Sequence, residues 1–167
     1  MEFTGLIIEA IKFIFPAYCA NAIPVIAGGG CPIDFGKNFC DGKPIFGKNK
    51  TFRGFLSGLT VGTLIGFIET IFSPQYPFHF GFLLSLGALI GDLAGSFVKR
   101  RFGLKPGALL PVVDQVDFIV GALLFSFPFF FKLFTVQFVV IIFAITIPLH
   151  LITNFIAYKL GLKKHPW

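Results

Sequence analysis

The sequence predicts an all-α integral membrane protein whose chain crosses the bilayer five times. Of its 167 residues, 55% are hydrophobic and 13% are charged, whereas a soluble domain carries about a quarter charged residues. The mean hydropathy is +0.84, and apolar runs of bilayer-spanning length recur along the chain. Basic residues are concentrated in alternate connections between these runs, which is the charge pattern of a multi-pass membrane protein.

Five apolar segments are long enough to span a bilayer as helices. Their approximate bounds are 3–26, 55–72, 80–98, 118–131 and 134–158. They leave no room for a second domain, so residues 1–167 are predicted to form a single membrane domain. The first segment has no basic region before it and carries Glu2 and Glu9. We therefore expect a retained helix and not a cleaved signal peptide.

The net charge of +6 is distributed unevenly over the connections between the spans. Basic residues are concentrated in two polar loops, about 28–54 and 99–113, and in the C-terminal tail, while the other connections carry only His79 and Lys132. The tail contributes Lys159, Lys163 and Lys164. Because basic residues favour the inner face, both loops and the C-terminus are predicted to be cytoplasmic and the N-terminus outside. This orientation requires an odd number of spans.

Small residues and prolines inside the spans predict how the helices pack. Glycines recur every four residues along the second span, at Gly54, Gly58, Gly62 and Gly66. They mark one face for close helix packing. In the first span, Pro16 and Pro24 predict either a broken helix, whose free backbone groups would have to be covered by protein or water, or a kinked helix in which Asn21 is hydrogen-bonded. Asn21 lies between these prolines and could line a site.

Three charged residues near the outer ends of the first two spans are expected to be structural. Glu9 and Lys12 are one helical turn apart, so they are expected to pair with each other. Glu69 lies near the outer end of the second span and is expected to extend toward the interface.

Three carboxylates are the candidate catalytic and metal-binding groups. Asp92 lies within the third span, where a charged side chain is costly and marks a functional candidate. Asp114 and Asp117 are three residues apart at the start of the fourth span, so they share a helix face. Structural alternatives exist, because an acidic residue at a helix N-terminus is an ordinary partner of the helix dipole. Asp92 could also form an ion pair with Lys99 or Arg100.

The combination of these carboxylates with cations on the same side favours a functional interpretation. Carboxylates alone repel one another, whereas Mg²⁺ prefers oxygen ligands and commonly joins one or two carboxylates to substrate phosphates. Lysine and arginine side chains then bind the phosphate oxygens. Asp92, Ser96 and Lys99 follow the i, i+4, i+7 spacing of one helix face. The sequence therefore predicts a site where Mg²⁺ bridges acidic residues to phosphate.

The polar loop at residues 28–54 has the composition of a folded anion-binding segment. Glycines and prolines recur too often for a regular helix, and two carboxylates, Asp34 and Asp41, are outnumbered by cations. These cations are Lys37, Lys43, Lys48, Lys50 and Arg53. Contact with anionic lipid headgroups is an alternative. Residues 42–48 match most of the P-loop pattern, but Asn49 replaces its hydroxyl residue and no strand precedes it, so a P-loop is rejected.

The three cysteines do not form a metal-binding pattern. Cys19, Cys31 and Cys40 are an odd set without four-ligand Cys/His spacing. Free thiols are favoured. A disulfide between Cys31 and Cys40, which share a loop, would be plausible mainly in a protein from a hyperthermophile.

Four motifs along the chain resemble the CDP-archaeol synthase family. They are ANAIPV at 20–25, PIDFGKNFCDGKPIFGKNKTFRG at 32–54, GDLAGSFVKRRFGLKPGA at 91–108 and DQVDF at 114–118. That family contains archaeal membrane cytidylyltransferases and is distantly similar to the CDP-diacylglycerol synthases of bacteria and eukaryotes. The chain departs from the diacylglycerol enzymes at Gln115, where they carry an arginine after the aspartate.

The resemblance implies a reaction and a set of site residues. CTP and 2,3-di-geranylgeranyl-glycerol phosphate would give a CDP-lipid and pyrophosphate, with Mg²⁺ as cofactor, in phospholipid biosynthesis at the cytoplasmic face of the cell membrane. By matching position, the metal ligands would be Asp92, Asp114 and Asp117, with Lys99 and Arg100 as catalytic cations beside them. Nucleotide and phosphate binding would fall to Asn21, Pro24, Gly28, Asp34, Lys37, Asp41, Lys48, Lys50, Thr51, Arg53, Ser96 and Arg101.

Two other functions are alternatives to cytidylyl transfer. A CDP-alcohol phosphatidyltransferase would need the motif DG..AR…G…D…D, which is absent. A non-enzymatic transporter of phosphate or lipid-phosphate anions would usually show internal repeats of hydropathy. No convincing repeat is found, and the polar residues cluster toward one surface. The expected partners are CTP, a prenylated lipid phosphate and the membrane, with no nucleic acid.

Overall fold

Five long α-helices make up most of the protein. The computed structural model describes residues 3–163 and 165; Glu2 and the tail cation Lys164 lie outside the described residues. The helices are α1 (Phe3–Ala27), α2 (Phe52–Phe72), α3 (Phe80–Arg101), α4 (Val113–Phe130) and α5 (Val136–Lys159), and a short 3₁₀ turn (Phe131–Leu133) follows α4. All five helices, α4 together with its 3₁₀ turn, are long and apolar enough to cross a membrane. The predicted fold class is confirmed.

Three helices, α2, α3 and α4, extend further into polar sequence than predicted. α3 continues to Arg101, so its three terminal cations lie in the last helical turn, where positive charge is favoured by the helix dipole. α4 begins at Val113, which places Asp114 in its first turn. At the start of α2, the Thr51 side chain accepts a hydrogen bond from the backbone N–H of Gly54 at 3.2 Å, as a helix N-cap does. The polar loops are therefore shorter than predicted, at residues 28–51 and 102–112.

The prediction of a broken first helix is wrong. α1 runs without interruption through Pro16 and Pro24. Because Pro24 has no N–H, the carbonyl of Ala20 one turn earlier loses its helical donor. Gly58 of α2 packs against that carbonyl so closely that a Cβ at Gly58 would lie 2.4 Å from the oxygen. Close contact with α2 thus covers the backbone that the proline leaves unpaired.

Glycines set the spacing of the helices around α2 and α3. The four glycines predicted to form a packing face on α2 are all buried, and they lie against α1 and α3. A second close approach joins α3 to α4. It includes Gly91 and Gly95 of α3, small residues that the sequence also marks for packing, and a Cβ at Gly121 would lie 2.2 Å from the carbonyl oxygen of Gly87. α3 and α4 accordingly form the most extensive helix pair.

The hydrophobic core is aromatic and lies toward the end of the bundle away from the polar loops. Phe13 of α1 is fully buried. Its ring contacts Tyr76, Phe80, Phe130, Phe134 and Phe138, at centroid distances from 5.5 to 6.1 Å. All five contacts are edge-to-face, a favourable geometry for aromatic pairs. This core anchors the helices whose opposite ends carry the polar residues.

Polar contacts near the core differ from those expected. Glu9 accepts hydrogen bonds from the Tyr76 hydroxyl and, at 3.3 Å, from the Gln75 side chain, and within the described residues it has no ion pair with Lys12. The connection between α2 and α3 folds inward, because Tyr76 stacks on Phe80 with ring centroids 4.1 Å apart. Glu69 is half-buried, and its Oε2 atom is buried without a hydrogen-bond partner among the described residues, so the expected extension toward the interface is also wrong.

Candidate active site at the basic end of the bundle

Charged residues from several elements meet at one end of the helix bundle. We call this the basic end; it comprises the loops 28–51 and 102–112, the adjoining helix ends, and residues 160–163 of the tail. Lys43 of the first loop donates a hydrogen bond to the backbone carbonyl of Arg101 at 2.7 Å. Gly47 lies within van der Waals reach of Pro106 in the second loop. The two loops are therefore packed together, although more than 50 residues of sequence separate them.

Asp92 of α3 is paired with a lysine from the first loop. The Lys50 ammonium donates to Asp92 Oδ2 at 2.5 Å, and the two side chains are 26% and 23% exposed. The alternative expected from sequence, a pair with Lys99 or Arg100, is not formed. A partner on the loop is possible because residues 28–51 fold back over the end of α3.

Asp114 of α4 is paired with Lys99 of α3. The ammonium lies 2.9 Å from Oδ1 and 2.8 Å from Oδ2 of the carboxylate. The same carboxylate accepts a hydrogen bond from the backbone N–H of Leu110 at 3.1 Å. Asp114 thus holds together the end of α3, the loop 102–112 and the start of α4.

Asp117 occupies a space created by glycines of α3. A Cβ at Gly95 would lie 2.0 Å from Asp117 Oδ2, and a Cβ at Gly91 would lie 2.2 Å from the Asp117 carbonyl oxygen. These glycines flank Asp92 in sequence, so Asp117 is brought beside it. The charges of Asp92 and Asp114 both act on Asp117. The three predicted carboxylates therefore share one neighbourhood.

The donor chemistry of this neighbourhood fits Mg²⁺. Carboxylate oxygens are the protein ligands that this ion prefers. Within residues 3–163 and 165, however, the carboxylates are not gathered into a ready three-ligand group, and Lys50 and Lys99 are paired with two of them. A metal ion bound here would have to replace these lysines at Asp92 and Asp114.

The first loop is organised around Asp34. Its carboxylate accepts hydrogen bonds from the backbone N–H groups of Gly36, Phe46 and Gly47, at 2.9, 2.9 and 2.8 Å. Burial raises the pKa of Asp34, but these three donors outweigh it and hold the pKa below its usual value. The side chain that was expected at the nucleotide is thus engaged in shaping the loop.

Arg101 attaches the first loop to α3. Its guanidinium donates to the Asp41 carboxylate and to the carbonyls of Lys43 and Pro44. The guanidinium carbon also lies 4.9 and 4.7 Å from the ring centroids of Phe39 and Phe97, within the range of a cation–π contact. Arg101 therefore holds the loop in place, and Asp41 serves as its partner.

Arg100 is buried against the second loop. It is 4% exposed, donates to the backbone carbonyl of Leu104, and leaves its Nε without a hydrogen-bond partner among the described residues. Asp114 is the charge that acts on it. In this structure Arg100 supports the turn that follows α3.

The remaining predicted residues surround this centre or lie at its surface. Pro24 lines, together with Lys50 and Asp92, a small cleft of about 40 Å³. Thr51 and Ser96 are buried, Asn21 and Gly28 are half-buried, and Lys37, Lys48 and Arg53 are exposed. These two exposed lysines and the exposed arginine form no ion pair within the described chain. They remain available to an approaching anion.

Residues from α5 and the tail also reach the site. Asn154 lies one turn from the surface in sequence and could be expected to reach it, whereas His150 and Lys163 carried no such expectation. The Lys163 ammonium donates to Asn154 Oδ1 at 2.8 Å, and the Asn154 amide nitrogen lies 3.2 Å from Nδ1 of His150. Burial lowers the pKa of Lys163, Lys50 and Lys99 lower it further, and Asp92 and Asp114 raise it. In sequence, Lys163 is one of the three cations of the C-terminal tail. The sequence signal for the position of Lys163 is Gly161, which lies two residues earlier. A glycine after a helix often reverses the direction of the chain.

A family comparison identifies the class of protein to which this site belongs. The CarS-like family model, described as CDP-archaeol synthase, matches residues 3–167. The chain belongs to the CDP-archaeol synthase family. Similar members are the CDP-archaeol synthases of Pyrococcus furiosus (51% identical, covering 96% of this chain and 98% of the relative) and Archaeoglobus fulgidus (44% identical, 97% and 98%). The expectation drawn from the four motifs is confirmed.

A solved structure also matches the CDP-archaeol synthase fold of this chain. It is described as an intramembrane enzyme for archaeal membrane lipid biosynthesis. The TM-score is 0.78 at 40% sequence identity, and the match covers 89% of this chain and 94% of the other. The five-helix architecture is therefore shared with an enzyme that works inside a membrane.

The motifs that carried the family resemblance converge in the structure. The segment 32–54 provides Lys50, the segment 91–108 provides Asp92 and Lys99, and the segment 114–118 provides two carboxylates. These residues come from two helices and a loop. Their convergence explains how a CDP-archaeol synthase can assemble a polar site at the end of an apolar helix bundle.

Proposed function

We propose that the protein is a membrane cytidylyltransferase that transfers CMP from CTP to an unsaturated archaeal ether lipid phosphate. The products are a CDP-lipid and pyrophosphate. Membership in the CDP-archaeol synthase family supports this reaction. The observation that carries the proposal is the meeting of three carboxylates with Lys50 and Lys99 at one end of an apolar bundle. Such a site can hold phosphates next to lipid tails.

The chemistry of the reaction suits these residues. An oxygen of the lipid phosphate attacks the α-phosphorus of CTP, and the bond from that phosphorus to the pyrophosphate oxygen breaks. The attacking oxygen is already ionised near neutral pH, so no strong general base is needed. Catalysis then depends on positioning the phosphates and on neutralising their charge.

Each charged residue has a role in this scheme. Asp92, Asp114 and Asp117 would hold Mg²⁺, which when bound neutralises charge between carboxylates and phosphates. Lys50 and Lys99 lie beside these carboxylates and bind phosphate oxygens. Arg101 acts at a distance by holding the first loop over the site.

The location of the site follows from charge and hydropathy. The basic loops lie at one end of the bundle, and the positive-inside bias places that end in the cytoplasm. The lipid phosphate then sits at the inner membrane surface with its tails among the apolar helices. CTP enters from the aqueous side.

The test is product formation by purified protein in detergent. With CTP, MgCl₂ and a geranylgeranylated glycerol phosphate, we expect pyrophosphate and CDP-lipid in equal amounts, and we expect neither after chelation with EDTA. Asp92→Asn and Asp114→Asn keep the size of the side chain but remove its charge, so each should lower kcat at least about 100-fold. Thermal unfolding should remain cooperative in both variants.

Lys132→Ala is the matched control, because Lys132 lies in the 3₁₀ turn at the opposite end of the bundle. It should retain full activity. Full turnover by either aspartate variant would contradict the metal assignment. Phosphate uptake into proteoliposomes without pyrophosphate release would instead indicate a transporter.

A further inference from the structure

The tail that follows α5 is folded back toward the site by a specific turn. Gly161 has a φ of +73°, a conformation that glycine adopts readily. Its N–H donates to the carbonyl of Tyr158 at 3.0 Å, and the N–H of Leu162 donates to the carbonyl of Ala157 at 2.9 Å. These two bonds define a Schellman motif. The motif fixes the direction in which Lys163 leaves the helix.

A chain of contacts connects Lys163 to the helix that carries two of the carboxylates. Lys163 donates to Asn154, which is 9% exposed. Asn154 contacts His150 at 3.2 Å. The His150 ring lies 5.7 Å from the ring of Phe118, centroid to centroid, and Phe118 directly follows Asp117. The Lys163 ammonium is thus placed by buried groups of α5 that pack on α4.

The charges around Lys163 are those of the two ion pairs. Lys50, Asp92, Lys99 and Asp114 all act on it. Each ion pair has no net charge. Lys163 is therefore a third lysine in this neighbourhood, which also contains the carboxylate of Asp117. If the carboxylates hold a metal ion, three lysines from three different segments remain to bind phosphate oxygens.

We propose that Lys163 is a phosphate-binding residue of the reaction and that Asn154 positions its ammonium group. This inference rests on the proposed cytidylyl transfer. Two reactants carry phosphate, the triphosphate of CTP and the monoester of the lipid, and the ammonium suits either. The contact between Lys163 and phosphate adds the positive charge of the ammonium group to the site. The hydrogen bond from Lys163 to Asn154 does not by itself provide that attraction.

The test separates charge from structure with three variants. Lys163→Gln retains a donor for Asn154 but loses the charge, Lys163→Arg retains the charge, and Lys163→Ala loses both. KM for CTP and KM for the lipid phosphate are measured separately, together with kcat, CTP binding in the absence of lipid, and the melting temperature. The matched control is Lys159→Gln, since Lys159 lies at the same helix end with its ammonium 5.5 Å from the Phe155 ring centroid.

We expect Lys163→Gln and Lys163→Ala to raise one of the two KM values at least about tenfold, the size of a lost hydrogen bond to a charged group. Lys163→Arg should recover most of the loss, and Lys159→Gln should behave as the wild type. A raised KM for CTP with weaker CTP binding identifies the triphosphate as the ligand. A raised KM for the lipid alone identifies the lipid phosphate.

Two results would overturn the inference. Wild-type KM and kcat in the Gln and Ala variants would exclude a phosphate contact. Equal impairment of Gln and Arg with a lowered melting temperature would assign Lys163 a structural role. Both results apply when the wild-type protein makes CDP-lipid. If the wild-type protein makes none, the proposed function itself is contradicted. CTP binding by the variants then tests Lys163 independently.

Discussion

At the scale of single residues, the site depends on the absence of a side chain at Gly95 as much as on the carboxylate of Asp117. A carboxylate of α4 can approach Asp92 only because the facing position on α3 has no side chain. Periodicity in the sequence marks such a glycine as a packing residue. Its role in making room for a carboxylate is visible only when the facing helix is in place.

Gly95→Ala should therefore disable the site while leaving the protein folded. The new Cβ would lie 2.0 Å from Asp117 Oδ2 and 2.9 Å from Asp117 Cβ, so the carboxylate must rotate away from Asp92. We expect kcat for CDP-lipid formation to fall at least about tenfold, since misplacing a positioned group by 1 Å can cost about 100-fold. Rotation does not move Asp117 Cβ, so α3 and α4 must also separate slightly, and the melting temperature should fall modestly while unfolding stays cooperative.

The control for Gly95→Ala is Gly5→Ala in α1, where an added Cβ meets nothing within 4 Å. This control should retain wild-type kcat and stability. Wild-type turnover by Gly95→Ala would mean that Asp117 need not stand beside Asp92.

The sequence predicted the site residues unevenly, for physical reasons. Asp92 and Asp114 could be found because a carboxylate in or beside apolar sequence is costly. The partner of Asp92 could not, because Lys50 is 42 residues away and reaches it only through the folded loop. Asp34 and Arg101 are residue types expected at a phosphate site. In the structure, their charged groups instead bind groups of the first loop.

At the scale of helices, hydropathy gave the five elements but not their ends. The apolar runs end before the helices do, because the terminal cations of α3 lie where the helix dipole favours them. The predicted break in α1 failed for another reason. A proline breaks a helix when its orphaned carbonyl has nothing to cover it, and here Gly58 of α2 covers the carbonyl of Ala20.

Gly58→Ala adds only one methyl group, but for that reason it should destabilise the protein more than so small a change suggests. The added Cβ would lie 2.4 Å from a backbone oxygen of α1 and 3.2 Å from Leu89 Cδ2 of α3, so two helices must separate. Overpacking of this kind costs about 1–3 kcal/mol. We expect the melting temperature in detergent to fall by several degrees, measured by circular dichroism during heating.

Gly5→Ala again provides the comparison. Both changes add one methyl group inside a helix, but only the methyl group at position 58 meets a backbone atom of another helix. Because alanine favours helix by up to about 1 kcal/mol over glycine, an unchanged or raised melting temperature is expected for Gly5→Ala. Equal behaviour of the two variants would mean that α1 and α2 are not in close contact at Ala20.

At the scale of the whole molecule, the distribution of charge was predicted correctly. The two basic loops, which are far apart in sequence, pack together at one end of the bundle, as the two spans between them, α2 and α3, require. Charge alternation is a property of the whole chain, so it survives errors of several residues in helix bounds. The three cysteines are free, as expected, and they provide a means of testing which side of the membrane the basic end faces.

The basic end should react with a membrane-impermeant maleimide only from the cytoplasmic side. Cys31 and Cys40 are exposed in the first loop, whereas Cys19 is half-buried within α1. We expect labelling of Cys31 and Cys40 in inside-out vesicles and none in intact cells. A variant with both residues changed to serine and Lys132→Cys at the other end should show the reverse pattern. Labelling of the native loop cysteines in intact cells would place the site outside, away from cytoplasmic CTP, and would contradict the proposed reaction along with the orientation.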